Sequence, residues 1–167
     1  MPKIIENVRG QLLAEAKKQI SEHGYADTTV RSVAGALGLG VGTVYNYFES
    51  KEMLIGSFVY EDWKKYLSRM QSIPADDPER LLSEIYESLR LFEKENEKLF
   101  SDVDAAKQIA PRSSARHRMM REQIAAFVRP ICNNDFEAEF IAEAMIAWSV
   151  ENVDFDTVYP TFKKLTK

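Results

Sequence analysis

Apolar residues recur at three- and four-residue steps along most of the chain. Ile4, Ile5, Val8, Leu12, Leu13, Ala16 and Ile20 form one stripe, the spacing that brings side chains to a single face of a helix. His23-Gly24-Tyr25 predicts the end of this first helix, since Gly24 can take the left-handed backbone of a helix C-terminus. A short second helix, capped by Thr28 or Thr29, is expected to bury Val30, Val33, Ala34 and Leu37. Gly38-Leu39-Gly40 breaks the chain again, and a third short helix is expected from about Val41 to Phe48.

Longer helices follow. Ser50 is a suitable N-cap for a fourth helix carrying Leu54, Phe58, Trp63, Leu67 and Met70 as far as Pro74. Asp76-Asp77-Pro78 opens a fifth with acids and proline in the first turn, as the helix dipole favours, and its stripe runs through Leu82, Ile85, Leu89 and Phe92. A helix near 97–109 is expected to stop at Pro111, and others to cover 112–131, 135–151 and 156–164. No segment alternates with period two for long enough to suggest a sheet. The pattern predicts an all-α fold in two domains, a helix-turn-helix head over 1–49 and a helical body over 50–167.

Composition narrows the class. At 167 residues and 45% hydrophobic, the chain can bury a core without staples, and it is too apolar for a disordered segment. Cys132 is its one cysteine, which excludes an internal disulfide framework and a four-cysteine zinc site, and suits a reducing cytoplasm. There is no secretory signal, and no run of about 18 apolar residues to span a membrane. The expectation is a cytoplasmic protein without membrane contact. The net charge of −4 is unevenly spread, because residues 1–51 carry six basic groups against five acids and the rest is acidic. Such a split permits nucleic-acid contact at the head only.

Two short helices around a glycine-containing turn, at 28–48, are the minimal device for laying one helix in a DNA major groove. In the segment Gly-Val-Gly-Thr-Val-Tyr-Asn-Tyr-Phe at 40–48, Val44 and Phe48 lie four apart and would face inward. Thr43, Tyr45, Asn46 and Tyr47 are left around the outside, a hydrogen-bonding surface suited to sugar-phosphate and bases. The alternative is that the tyrosines fill a seam between head and body.

From Arg9 to about Leu54 the chain resembles the TetR family of bacterial transcriptional repressors. The resemblance runs through Leu12-Leu13, Ala16, Gly24-Tyr25, Thr28-Thr29-Val30, Val33-Ala34, Leu37-Gly38-Leu39, Gly42-Thr43-Val44-Tyr45, Phe48 and Ser50-Lys51-Glu52. It implies that Thr28, Thr29 and Arg31, in the first turn of the second helix, face a phosphate. Gly42 and Thr43 would begin the recognition helix. Tyr45 resembles the family's phosphate-contacting tyrosine, and Asn46 and Tyr47 occupy positions that face bases. Lys51 resembles the lysine that clamps a phosphate at the start of the fourth helix. Two departures stand out: Gly40 replaces the usual hydroxyl cap of the recognition helix, and Gly35 lies inside the second helix, at a cost of about 1 kcal/mol against alanine.

A two-turn helix touches few base pairs, so operator affinity requires two heads about 34–36 Å apart and therefore a homodimer. Its expected interface is Phe136, Phe140, Ile141, Ala144, Met145, Trp148, Val158 and Phe162; an intrachain core is the alternative. The resemblance further implies a small-molecule effector held in the body, with Trp63, Tyr86, Phe92, Arg116, Met120 and Phe127 as candidate contacts. Arg112, Arg116, Arg118 and Arg121 cluster without an acid between them; an inward Arg116 would favour an anionic effector, a solvated face paired with acids being the alternative. His23 and His117 lie far apart, there is no Glu-x-x-His pair, phosphate loop or nucleophile elbow, and no catalytic residue, metal site or cofactor is expected. The competing reading is a helical interaction protein of the same fold that binds a protein partner in place of a double-stranded DNA operator.

Overall fold

The computed structural model describes residues 7–167, without the side chains of residues 106 and 108–114. Ile4 and Ile5 of the first stripe, and the Arg112 side chain of the arginine cluster, lie outside the described residues. Among the described residues the regular elements are all helices, joined by turns, apart from one isolated bridge between Cys132 and Thr166. Among them no helix is long and apolar enough to cross a membrane.

The chain divides into two compact units, Met1–Asp62 with Asn96–Pro111, and Trp63–Glu95 with Arg112–Lys167. This differs from a division at residue 50. The first turns of the fourth helix contribute Leu54, Ile55 and Phe58 to the same apolar cluster as the three helices before it, so the head extends past the short helices.

In the first unit, α1 (Val8–Asp27) starts at Asn7, whose side chain accepts from Gly10 N at 3.2 Å. Gly24 interrupts it with φ 85 and ψ 177, a positive φ that costs glycine nothing but an extended ψ in place of the left-handed helical one. α2 (Val30–Ala36) carries a capping box: Ser32 N donates to Thr29 Oγ1, and Thr29 N to Ser32 Oγ, each at 2.9 Å. Its C-terminus closes through Leu39 N to Ala34 O and Gly38 N to Gly35 O, with Gly38 at φ 65. This six-to-one and five-to-two pairing around a left-handed glycine is a Schellman turn, and it sets the bend between α2 and α3 (Val41–Tyr45). α3 is shorter than the expected 41–48, although Phe48 N still donates to Val44 O at 2.9 Å. α4 (Lys51–Gln71) begins at Ser50, whose hydroxyl oxygen accepts from Met53 N at 3.2 Å. α6 (Glu97–Phe100) and the start of α7 (Val103–Val128) add Leu99 and Ala105 to the core.

The helix α7 corrects the expected stop at Pro111. Proline removes one backbone donor and crowds the preceding turn, but these losses are local, and the helix continues on both sides of it.

In the second unit, α5 (Pro78–Glu95) opens with Arg80 N donating to Asp77 Oδ1 at 3.1 Å. It buries Leu82, Ile85, Tyr86, Leu89 and Phe92 and packs against α8 (Asp135–Val150) and α9 (Phe155–Phe162). The Tyr86 hydroxyl donates to Val153 O at 2.8 Å, and Lys167 N to Ile131 O at 2.8 Å. The second of these bonds ties the end of the chain beside the 3-10 turn Arg129–Ile131.

Candidate nucleic-acid interface

The exposed surface of α3 follows from which of its residues are needed for the core. Val44 and Phe48, four apart, are both buried. The Arg9 guanidinium covers the Phe48 ring at 5.6 Å from its centroid, which fixes the end of the helix to α1. A helix anchored on that side presents the opposite side outward. Tyr45 is 52% exposed and Tyr47 47% exposed, and Asn46 and Gly42 are exposed beside them, with Thr43 half-buried. Both tyrosines therefore stand outside the apolar cluster that buries Val44 and Phe48. Gly40 caps α3 with no side-chain bond, so only backbone stands at the start of the helix.

The two threonines ahead of α2 separate. Thr29 is exposed and accepts the Ser32 amide with its oxygen, a bond that leaves its hydroxyl proton unconsumed. Thr28 is 1% exposed and donates to Gly24 O at 2.8 Å. This corrects the expectation for Thr28: its hydroxyl closes the end of α1 and is turned away from any phosphate. Arg31 is exposed in the first turn of α2.

Lys51 also departs from expectation. Its ammonium is not extended toward solvent; it donates to the Tyr25 carbonyl and sits 3.7 Å from the centroid of the Tyr25 ring. Partial burial lowers its pKa from the usual lysine value. Sequence reasoning also missed a polar relay behind α2. Ser32 Oγ donates to Gln19 Oε1 at 2.6 Å, and Gln19 Nε2 to Glu15 Oε1 at 2.8 Å. The signal was available in Thr29-x-x-Ser32, a capping-box spacing, and in Gln19 lying on the buried face beside Ile20.

The expected dimer residues fall on two faces. Ile141, Met145, Val158 and Phe162 are buried inside the second unit, which corrects their assignment: they pack intrachain and are closed to a partner. Phe136 (78% exposed), Phe140 and Trp148 remain exposed on α8, with Ala144 half-buried.

The expected effector-binding residues are also divided. Trp63, Tyr86 and Phe92 are fully packed, Trp63 meeting Phe92 edge-on at 5.2 Å between centroids. Tyr86 instead meets Phe155 at 5.7 Å. Arg116, Met120 and Phe127 are half-buried. A cleft of about 400 Å³ is lined by Asp77, Glu79, Arg80, Ser83, Phe155 and Asp156, none of the six. Arg121 lies 3.6 Å from Glu143, and His117 2.9 Å from the same carboxylate, so this part of the basic cluster is paired with acids of α8. Among the described residues no group of three or more His, Cys, Asp or Glu is placed to hold a metal.

A short outward-facing helix braced across a glycine turn, among described residues whose regular elements are all helices, has the form of a helix-turn-helix unit. Residues 12–57 match the model of the family described as bacterial regulatory proteins, tetR family. The regulator HbdR of Aromatoleum sp. (strain CIB) is 35% identical over 54 residues, 32% of this chain and 24% of that protein. The repressor KstR2 of Mycobacterium tuberculosis is 26% identical over 168 residues, 97% of this chain and 79% of that protein. The crystal structure of a transcriptional regulator from Aquifex aeolicus, 21% identical, has the same fold with a TM-score of 0.66, covering 93% of this chain and 87% of that one. Residues 12–57 thus carry a tetR-type helix-turn-helix domain, and over most of its length the chain is similar in sequence to a TetR-type repressor and in fold to a transcriptional regulator.

Proposed function

We propose that this protein is a cytoplasmic repressor that binds a palindromic operator as a homodimer and is released from it by a small-molecule effector. The observation that carries the reading is the division of α3, with Val44 and Phe48 buried and Tyr45, Asn46 and Tyr47 outside. On this reading Thr29, Arg31, Tyr45 and Lys51 hold phosphates, while Gly42 and Thr43 let the start of α3 approach the groove. Asn46 pairs with an adenine edge beside Tyr47.

Two heads are brought together through Phe136, Phe140, Ala144 and Trp148 of α8. The helices that read the DNA lie within residues 1–49, and residues 50–167 form the regulatory body, whose first turns up to Phe58 pack into the head. The effector acts by population shift, favouring a conformer in which the two recognition helices no longer match the groove repeat. The helix α4 supplies the connection, since it begins at Lys51 and runs on to Gln71.

The test is an electrophoretic mobility shift with the DNA flanking the protein's own gene. Sequence-specific retardation that weakens with salt is expected, and it is expected to be lost on Tyr45→Ala and Lys51→Ala. Asn46→Ala is expected to remove about 1–3 kcal/mol of discrimination at one base pair. Retardation unaltered by all three substitutions assigns DNA contact to another surface.

A further inference from the structure

Tyr25 and Lys51 meet where the tail of α1 approaches the start of α4, both within the first unit. The positive φ of Gly24 redirects the chain just before Tyr25, whose ring is almost wholly buried. Lys51 lies over that ring and donates to the Tyr25 carbonyl. The Tyr25 hydroxyl in turn donates to Glu52 Oε1 at 3.1 Å.

This arrangement suits an ammonium that must meet an anion. A free lysine gives up most of its rotamer freedom when it grips a phosphate; here the side chain is ordered beforehand. An aromatic face holds a cation without neutralising it, and the carbonyl uses one of three ammonium donors. Glu52 carries the carboxylate next to Lys51 in the chain, and the Tyr25 hydroxyl engages it. Burial and the Glu52 carboxylate push the Tyr25 phenol up to about 12, so it remains a donor across the working pH range.

We infer that Tyr25 is a positioning residue for DNA binding: its ring and carbonyl preset Lys51 for a backbone phosphate, and its hydroxyl occupies the Glu52 carboxylate that would otherwise compete. The inference rests on the reading of Lys51 as a phosphate-binding residue.

The probe is a duplex selected by the full chain from a random-sequence library, with affinity followed by fluorescence anisotropy across a salt series. Lys51→Met is expected to weaken binding and to flatten the slope of log affinity against log salt by about 0.9 for each phosphate no longer neutralised. Tyr25→Leu is expected to weaken binding about two- to fivefold, and to have no further effect in the Lys51→Met background. Because Tyr25 is buried, a second series places phenylalanine and ring-fluorinated phenylalanines at position 25, which keep the volume while weakening the ring's negative face. Affinity is expected to fall stepwise with fluorination when Lys51 is present, and to stay level in the Lys51→Met background. If Lys51→Met flattens the slope but the position-25 series leaves affinity level, the positioning role is overturned and phosphate binding by Lys51 stands. A slope unchanged by Lys51→Met overturns both.

Discussion

Trp63 donates its indole N–H to Gln123 Oε1 at 2.7 Å, joining α4 to α7 inside the second unit. The indole is buried and its ring meets Phe92 edge-on, so the amide oxygen is the partner this donor has in a dry site. Gln123→Leu keeps the bulk but strands the N–H, and is expected to cost about 1–3 kcal/mol. Combining it with Trp63→Phe removes the stranded donor, so the double variant is expected to lose less than the sum of the singles by about 1 kcal/mol. Urea unfolding of the four proteins measures both quantities. Strict additivity would mean that the hydrogen bond contributes nothing beyond packing.

Gly35 and Gly38 lie three residues apart and are expected to respond oppositely to alanine. Gly35 is inside α2, and a Cβ built on it meets nothing within 4 Å. Gly35→Ala therefore gains helix propensity, about 0.5–1 kcal/mol. Gly38 holds a φ of 65 in the Schellman turn, where a Cβ costs about 1–2 kcal/mol. Thermal unfolding is expected to move up for the first and down for the second.

The elements legible in the sequence were those set by local chemistry. Thr29 ahead of Val30, Ser50 ahead of Lys51 and Asp77 ahead of Pro78 each mark a helix start through bonds within three residues. The inward pair Val44 and Phe48 was readable because the rest of that short helix is polar or aromatic with a polar tip. Long-range partners were not readable. Nothing near Thr28 in sequence distinguishes its buried hydroxyl from the exposed one of Thr29, and only the Gly24 turn decides it. The position of the Lys51 ammonium depends on Tyr25, 26 residues earlier. On α8 the apolar residues go nearly all the way round, so periodicity could not say which face meets the protomer's own core.

Glu93 links the second unit to pH. It follows Leu89 by four residues and Tyr86 by seven, half-buried at the edge of the α5 stripe, and burial pushes its carboxyl above the usual carboxylate range. The folded chain thus keeps this proton at pH values where the unfolded chain has lost it. Stability from this group is complete below the unfolded value, near about 4.3, and is lost as pH rises through the higher folded value. Glu93→Gln removes the charge that burial penalises. The variant is expected to be more stable than the wild type near neutral pH, with the difference closing as pH falls toward about 4. Urea midpoints across that range test the sign. A Gln variant less stable than the wild type near neutral pH would mean that a cation holds Glu93 ionised.

The two faces of α8 give the sharpest contrast. Ile141 and Met145 have no exposed surface, whereas Phe140 and Trp148 are each 47% exposed on the same helix. Exposed aromatics at 136, 140 and 148, with Ala144 between them, lie at four-residue steps and form a continuous stripe, the kind of surface that a second copy covers in an isologous contact. Phe140→Glu and Trp148→Glu are expected to shift sedimentation from dimer to monomer with helicity preserved, because neither side chain supports the protomer's own core. Ile141→Ala and Met145→Ala are expected to do the reverse, costing about 2–5 kcal/mol of unfolding free energy without a comparable effect on association at concentrations where the chain stays folded. A wild-type monomer, or a dimer indifferent to both glutamates, would move assembly to another surface and leave the stripe without its proposed occupant. Loss of folding rather than association in Phe140→Glu would instead place that ring in the intrachain core, against its exposure.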